Sequence, residues 1–234
     1  GVHIVAANKV ANAAEKGFYN GLREAGKTGD SQFLYETNVG AALPVIKVLQ
    51  DLLNAGDRIV KIEGIMSGSL NHILTEVWSG KKFMEALEEA KAAGYTEPDP
   101  LVDLSGVDVA RKLLILVRET GVNVSMEDVI VEPLAWKNIT GAVEYLDIDT
   151  QVQEAKNRGN RIKFVASYSE GKMTVGPREV TPEDPLYSVN GVRNAFIFYT
   201  TLYSEFPLVI SGPGAGVALT AAGVMNDLLG IMGS

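Results

Sequence analysis

Arg58-Ile59-Val60-Lys61-Ile62-Glu63-Gly64-Ile65-Met66 alternates apolar and polar residues with a period close to two, as a strand in a sheet with one covered face requires. It stops at Ser67-Gly68-Ser69. Before it, Pro44 suits the first turn of a helix whose wide apolar face is Val45, Ile46, Val48, Leu49, Leu52 and Leu53, ended by Gly56-Asp57. After it, the spacing predicts helices over 70–78 and 83–93, parted by Ser79-Gly80-Lys81-Lys82, with helices dominating to about residue 120.

Further out, Val2-His3-Ile4-Val5-Ala6 reads as a short buried strand, 12–25 as a helix before the turn Gly26-Lys27-Thr28-Gly29-Asp30, and 32–36 as a second strand. Strand, helix, strand is a βαβ unit of a parallel sheet. No G-x-G-x-x-G precedes a helix, so the N-terminus is expected to be the tail of a larger dinucleotide-binding domain. Towards the C-terminus, 161–168 and 173–180 flank Ser169-Glu170-Gly171-Lys172 as a hairpin, 195–201 and 208–210 add strands, and 220–231 closes as a helix with Val224, Leu228 and Ile231 at helical spacing. Residues 135–158 carry no clear pattern. The expectation is an α/β to α+β fold: a remnant of a Rossmann-type domain over 1–36, then a catalytic and dimerisation domain over 37–234 with a mostly antiparallel or mixed sheet covered by helices.

The 234 residues are 46% hydrophobic and 21% charged, enough apolar material for a sizeable core. A net charge of −8, with no basic cluster, would repel phosphate backbones and anionic lipid. Nucleic acid and membranes are therefore excluded as expected partners. The chain has no cysteine, which removes disulfides, thiolate catalysis and zinc-thiolate sites. No apolar run approaches the roughly 20 residues of a membrane span, and no signal-peptide pattern opens the chain, so an intracellular protein is expected.

The segment richest in chemistry is Gly94-Tyr95-Thr96-Glu97-Pro98-Asp99-Pro100 followed by Asp103 and Asp108-Val109-Ala110-Arg111-Lys112. The prolines hold an extended loop bearing Glu97 and Asp99. Ser105 reads as the cap of the next helix, with Asp108 completing a capping-box-like pair. Asp108 and Lys112, at i and i+4, share a helix face. They read either as a surface ion pair with a capping role or as part of a polar pocket for a zwitterionic or hydroxylated small molecule. Asn8-Lys9, after the first strand, lies where open α/β sheets bind ligands. Ser67-Gly68-Ser69-Leu70-Asn71 can hold an oxygen-rich ligand at a helix start, and Gly212-Pro213-Gly214-Ala215-Gly216 allows close backbone approach. His3 and His72 share no metal-ligand spacing and read as structural; Trp78 and Trp136 read as packing residues.

Together, Ala7-Asn8-Lys9, Tyr35-Glu36-Thr37-Asn38-Val39-Gly40-Ala41, Leu43-Pro44, the Ser67 segment, 94–100, 108–112 and the 212–216 loop with Thr220-Ala221 resemble, in order, the homoserine dehydrogenase family, especially the dehydrogenase half of bifunctional aspartate kinase–homoserine dehydrogenases. The resemblance implies interconversion of homoserine and aspartate 4-semialdehyde with NAD or NADP, in threonine and methionine biosynthesis. It makes Lys112 the proton donor and acceptor, organised by Asp108, and gives the substrate to Glu97, Asp103, Ser69 and Lys9. It gives the cofactor to Asn8, Lys9, Gly214 and Gly216, and a sodium ion to backbone oxygens of Glu36, Val39, Ala41 and Leu43, since oxygen-only ligation suits a hard cation. It further implies a homodimer in the cytoplasm, or in a plastid if the source is a plant. Without a phosphate-binding loop the isolated chain is expected to be inactive. After Pro100 the family usually has Arg-Asp-Asp where this chain has Leu101-Val102-Asp103. Ala42 replaces a usual glycine, Leu202 and Ser211 stand in place of basic residues, and Ala218 in place of an acid. These apolar replacements leave a second reading, a non-catalytic or redesigned binding scaffold, if their side chains gather in one cavity or patch.

Overall fold

The computed structural model describes residues 1–232. Strands β1 (Ile4–Val5) and β2 (Phe33–Leu34) pair in parallel around helix α1 (Lys16–Thr28), Ile4 opposite Phe33. The helix begins four residues later than the pattern suggests. Glu15 caps it, its carboxylate accepting from the Gly17 and Phe18 N–H groups, while Asn12 is buried with its amide donating to Asn38 Oδ1.

After a 3-10 turn over Glu36–Asn38 come α2 (Val45–Asn54), β3 (Ile59–Ile65), α3 (Gly68–Ser79), α4 (Phe83–Ala92), α5 (Leu101–Leu104) and α6 (Val107–Glu119). The chain continues through β4 (Val129–Val131), β5 (Ala135–Lys137), β6 (Val143–Tyr145), α7 (Ile148–Asn157), β7 (Arg161–Ser169), β8 (Lys172–Val180), β9 (Arg193–Thr200), β10 (Leu208–Pro213) and α8 (Val217–Met232). Six strands form one sheet in the order β10-β9-β3-β7-β8-β4. All its pairs are antiparallel except β4 with β8, so the sheet is mixed, with helices packed on it.

The main core lies between the helices and one face of this sheet, where Leu49, Leu70, Ile73 and Leu113 meet Ile62, Phe164, Phe196 and Phe198. A smaller core on the opposite face joins Ile65, Val165, Ala195 and Ile197 to Leu186 and Val189. The second core corrects the one-covered-face reading of β3. From Ile62 to Ile65 every residue is buried, because the chain between β8 and β9 folds back over the outer face. Glu63, on that face, is paired to Lys61 at 2.9 Å and to Arg178, as a buried carboxylate must be.

The closing helix also differs from expectation. It starts at Val217, and its buried residues are Gly223 and Asp227, whereas Leu228 is 44% exposed. Contact is made by the smallest residue of the helix: a Cβ at position 223 would collide with Thr37, and Asp227 Oδ2 accepts from the Glu36 N–H at 3.0 Å. Helix α6 spans two polar sites. At its far end Arg118 donates to the main-chain oxygens of Asn12 and Ala14 at 2.8 and 3.0 Å. Beside it, Glu119 accepts from Arg23 at 3.0 Å, Tyr35 Oη at 2.6 Å and Gln50 at 2.7 Å. Among the described residues no helix is long and apolar enough to cross a membrane.

Candidate active site

The near end of α6 starts on Gly106, whose left-handed backbone (φ +71°) and absent Cβ are both needed. A Cβ there would lie 2.8 Å from Phe164 Cζ. The expected Ser105–Asp108 capping box is not formed. Ser105 Oγ donates to the Val102 carbonyl at 2.8 Å and lies 3.4 Å from the Val107 N–H. Released from capping, Asp108 stands between two ammoniums, Lys112 Nζ at 2.9 Å and Lys9 Nζ at 3.3 Å. Lys112 Nζ also donates to the Met66 carbonyl at 2.8 Å, just beyond β3. Its side chain is 12% exposed and that of Asp108 45%, so the ammonium is largely buried while the carboxylate opens to the cavity mouth. Burial pushes the Asp108 carboxyl up, but Lys112 and then Lys9 outweigh it and hold the group below the ordinary carboxylate range.

Asp103 organises a second group. Its Oδ1 accepts from Ser69 Oγ at 2.8 Å and its Oδ2 from the Glu97 N–H at 2.9 Å. The start of α3 is thereby tied to the exposed loop before α5. Ser67 Oγ caps α3 by accepting from the Leu70 N–H at 3.2 Å and lies 3.0 Å from Ser69 Oγ.

Both groups open into one cavity of about 1070 Å³, lined by Lys9, Ser69, Glu97, Asp103, Asp108 and Lys112 together with Gly214 and Gly216. Gly214 is buried against Asn194, and Gly216 takes a positive φ of +124° ahead of α8. Asn8 lies outside, lining an adjoining cleft that shares Lys9, Asp108 and Arg111, with its Oδ1 accepting from the Val10 N–H at 2.7 Å. Of the expected ion ligands only Ala41, at φ +54°, lines the cavity. The Glu36 carboxylate accepts from the Ile46 and Lys47 N–H groups at 2.7 and 2.8 Å, capping α2. The carbonyls of Glu36 and Leu43 each accept one bond, from Val39 and Val45, and each keeps a lone pair for an ion. Among the described residues no cluster of three or more His, Cys, Asp or Glu side chains could hold a metal, so an ion here would rest on main-chain oxygens.

Arg111, Thr37 and Asn194 also line the cavity, Arg111 sharing the cleft as well; Arg111 and Thr37 stand inside the motifs read from the sequence without a role of their own, and Asn194 lies in a strand with nothing nearby to mark it. Of the apolar replacements, Val102 lines the cavity, Leu101 packs against the core, and Leu202 is 72% exposed; they do not gather in that cavity. Ser211 donates to the Asn194 carbonyl at 3.0 Å.

A lysine held by an aspartate and a main-chain carbonyl, in a cavity that a glycine loop helps to line, suits a small polar ligand. The family model for homoserine dehydrogenase matches residues 44–229. The bifunctional aspartokinase/homoserine dehydrogenase of Haemophilus influenzae is 45% identical over 98% of this chain, which spans 29% of that relative's length. A putative homoserine dehydrogenase from Archaeoglobus fulgidus superposes with a TM-score of 0.83 at 32% identity, covering 98% of this chain and 67% of the other. A hyperthermophilic archaeal homoserine dehydrogenase in complex with NADPH gives 0.76 at 30% identity, covering 97% and 63%. The chain belongs to the homoserine dehydrogenase family.

Proposed function

We propose that this chain carries the substrate pocket and proton-handling groups of a homoserine dehydrogenase, which interconverts homoserine and aspartate 4-semialdehyde with NAD or NADP. The observation that carries the reading is the Lys112 ammonium, fixed by Met66 and Asp108 in the cavity that also holds Glu97 and Ser69. Lys112 has three donors and uses two on these partners; the third reaches the reacting oxygen of the substrate. It gives that oxygen a proton when the aldehyde is reduced and takes it back when the alcohol is oxidised. Asp108 positions it, and Lys9 shares the same carboxylate. Glu97 binds the substrate ammonium, while Asp103 positions Glu97 through its N–H and Ser69 through its hydroxyl.

The dinucleotide, when bound, supplies or receives the hydride. Gly214 and Gly216, which leave room for close approach, would hold its nicotinamide end with Lys9, and Asn8 would reach it from the adjoining cleft; the archaeal relative in complex with NADPH supports a nicotinamide cofactor for the family. We assign residues 1–36 to the dinucleotide-binding unit and 37–234 to the catalytic one, in keeping with the separate β1–β2 sheet. No G-x-G-x-x-G occurs in the 234 residues, so they lack a phosphate grip of that kind and by themselves turn over little or no substrate. The carbonyls of Glu36, Val39, Ala41 and Leu43 would hold sodium.

Calorimetric titration with homoserine, in sodium chloride and again in choline chloride, tests this. Homoserine is expected to bind, more weakly without sodium, and Glu97→Gln to weaken binding about tenfold or more, as loss of a charge-assisted bond does. Absence of binding, or full affinity in Glu97→Gln, overturns the substrate assignment.

A further inference from the structure

Five buried side-chain atoms have no hydrogen-bond partner among the described residues: Thr37 Oγ1, Asp57 Oδ2, Arg118 Nη2, Arg161 Nε and Asn194 Oδ1. Only Thr37 and Asn194 belong to residues that line the cavity. A hydroxyl rotates to find an acceptor, but an amide held by its surroundings does not, and leaving it unpaired costs about 1–3 kcal/mol. Asn194 is so held. It is 1% exposed, its main-chain carbonyl accepts from Ser211 Oγ, and it sits opposite Gly212 in the β9–β10 ladder. Its carboxamide lies against Gly214, where any Cβ would collide with Asn194 Nδ2. The missing side chain at 214 therefore makes room for the amide at the cavity wall.

We infer that Asn194 recognises the carboxamide of the nicotinamide ring, pairing amide to amide from the wall beside Gly214. The assignment rests on reading the cavity as a dinucleotide-dependent site. The amino-acid substrate offers an ammonium and a carboxylate, which call for charged partners when desolvated. A neutral amide, with one acceptor and two donors, matches a primary carboxamide that donates its N–H to Oδ1 and accepts from Nδ2. Such a pair fixes the rotation of the ring, and with it the face that meets the substrate.

The probe is NADP⁺ compared with its 3-acetylpyridine analogue, in which a methyl group replaces the amide nitrogen, each titrated at millimolar concentration and followed by ligand-observed NMR. The wild-type chain is expected to prefer NADP⁺ about five- to tenfold, the worth of one hydrogen bond. Asn194→Ala should abolish the preference and weaken both ligands, since the analogue keeps the carbonyl that accepts from Asn194 Nδ2. The wild-type comparison needs no variant, so a poorly folded Asn194→Ala does not remove the test. Equal affinities in the wild type, or a preference kept in a folded Asn194→Ala, overturn the assignment. A chain that binds homoserine but neither dinucleotide also overturns it while leaving the substrate pocket standing; one that shows the preference but binds no homoserine does the reverse.

Discussion

A carboxylate between two ammoniums, as Asp108 is between Lys112 and Lys9, is easier to ionise than one in water. Its folded pKa lies below the ordinary value, so the stability it contributes is present above the unfolded pKa of about 3.9 and is lost as pH falls through the lower, folded one. Carboxyl-detected NMR titration should give Asp108 a midpoint below that of an unperturbed aspartate, and Lys112→Met should move it upward; an unmoved midpoint would mean that the pair is not coupled. The pairing of Asp108 with Lys112 was legible from spacing alone, because four residues on a helix fix a shared face. Lys9 could be placed near a sheet edge, but its contact with Asp108 depends on how β1 meets α6, and neither segment encodes that. Asn194 and Thr37 were illegible for a different reason: an unpaired polar atom is a property of what surrounds it.

Among the elements, β7 carries the most unusual interior residue. Lys163 is buried, its Nζ donating to Asn71 Oδ1 at 3.3 Å, Asn190 Oδ1 at 3.2 Å and the Val189 carbonyl. Burial, aided by Arg161 and Arg193, pushes its pKa down to about 7. Between that value and the unfolded one of about 10.4 the unfolded chain binds more protons, so stability should rise as pH increases through this window. Urea unfolding at pH 7 and pH 9 should show a gain of up to about 2–3 kcal/mol, and Lys163→Met should flatten it; an unchanged pH slope in the variant would refute this origin. The β7–β8 hairpin around Lys163 was readable, since alternation and a Glu170-Gly171 turn both mark it. The β5–β6 hairpin was not: its strands are three residues each and largely exposed, leaving no periodic signal. The contact face of α8 escaped because apolar spacing points to Val224, Leu228 and Ile231, whereas a glycine and an aspartate make the buried contact.

At the scale of the molecule, the order of elements and the mixed sheet follow from the sequence pattern, while burial of both faces of β3 does not, because it depends on a chain returning from far along the sequence. The turn from β9 into β10, with β10 itself, leaves Leu202, Tyr203, Phe206 and Val209 exposed. Apolar side chains left open at a sheet end favour self-association, and we expect a homodimer there. Light scattering at micromolar concentration should return twice the mass of the 25.1 kDa chain, and Phe206→Asp with Leu202→Asp should halve it; a wild-type monomer would refute the dimer.

Helix α6 is a rod of thirteen residues, about 20 Å long, with Asp108 in its first turn and Lys112 one turn further on. At the other tip, Arg118 and Glu119 grip the segment around β1 and α1. Such a rod acts as a lever: a tilt of the N-terminal unit displaces Lys112 as part of a rigid body, because the packed core leaves the helix no slack to absorb the movement. On the division of the chain proposed above, a shift in the N-terminal unit is then expected to be felt at Lys112 through the helix itself.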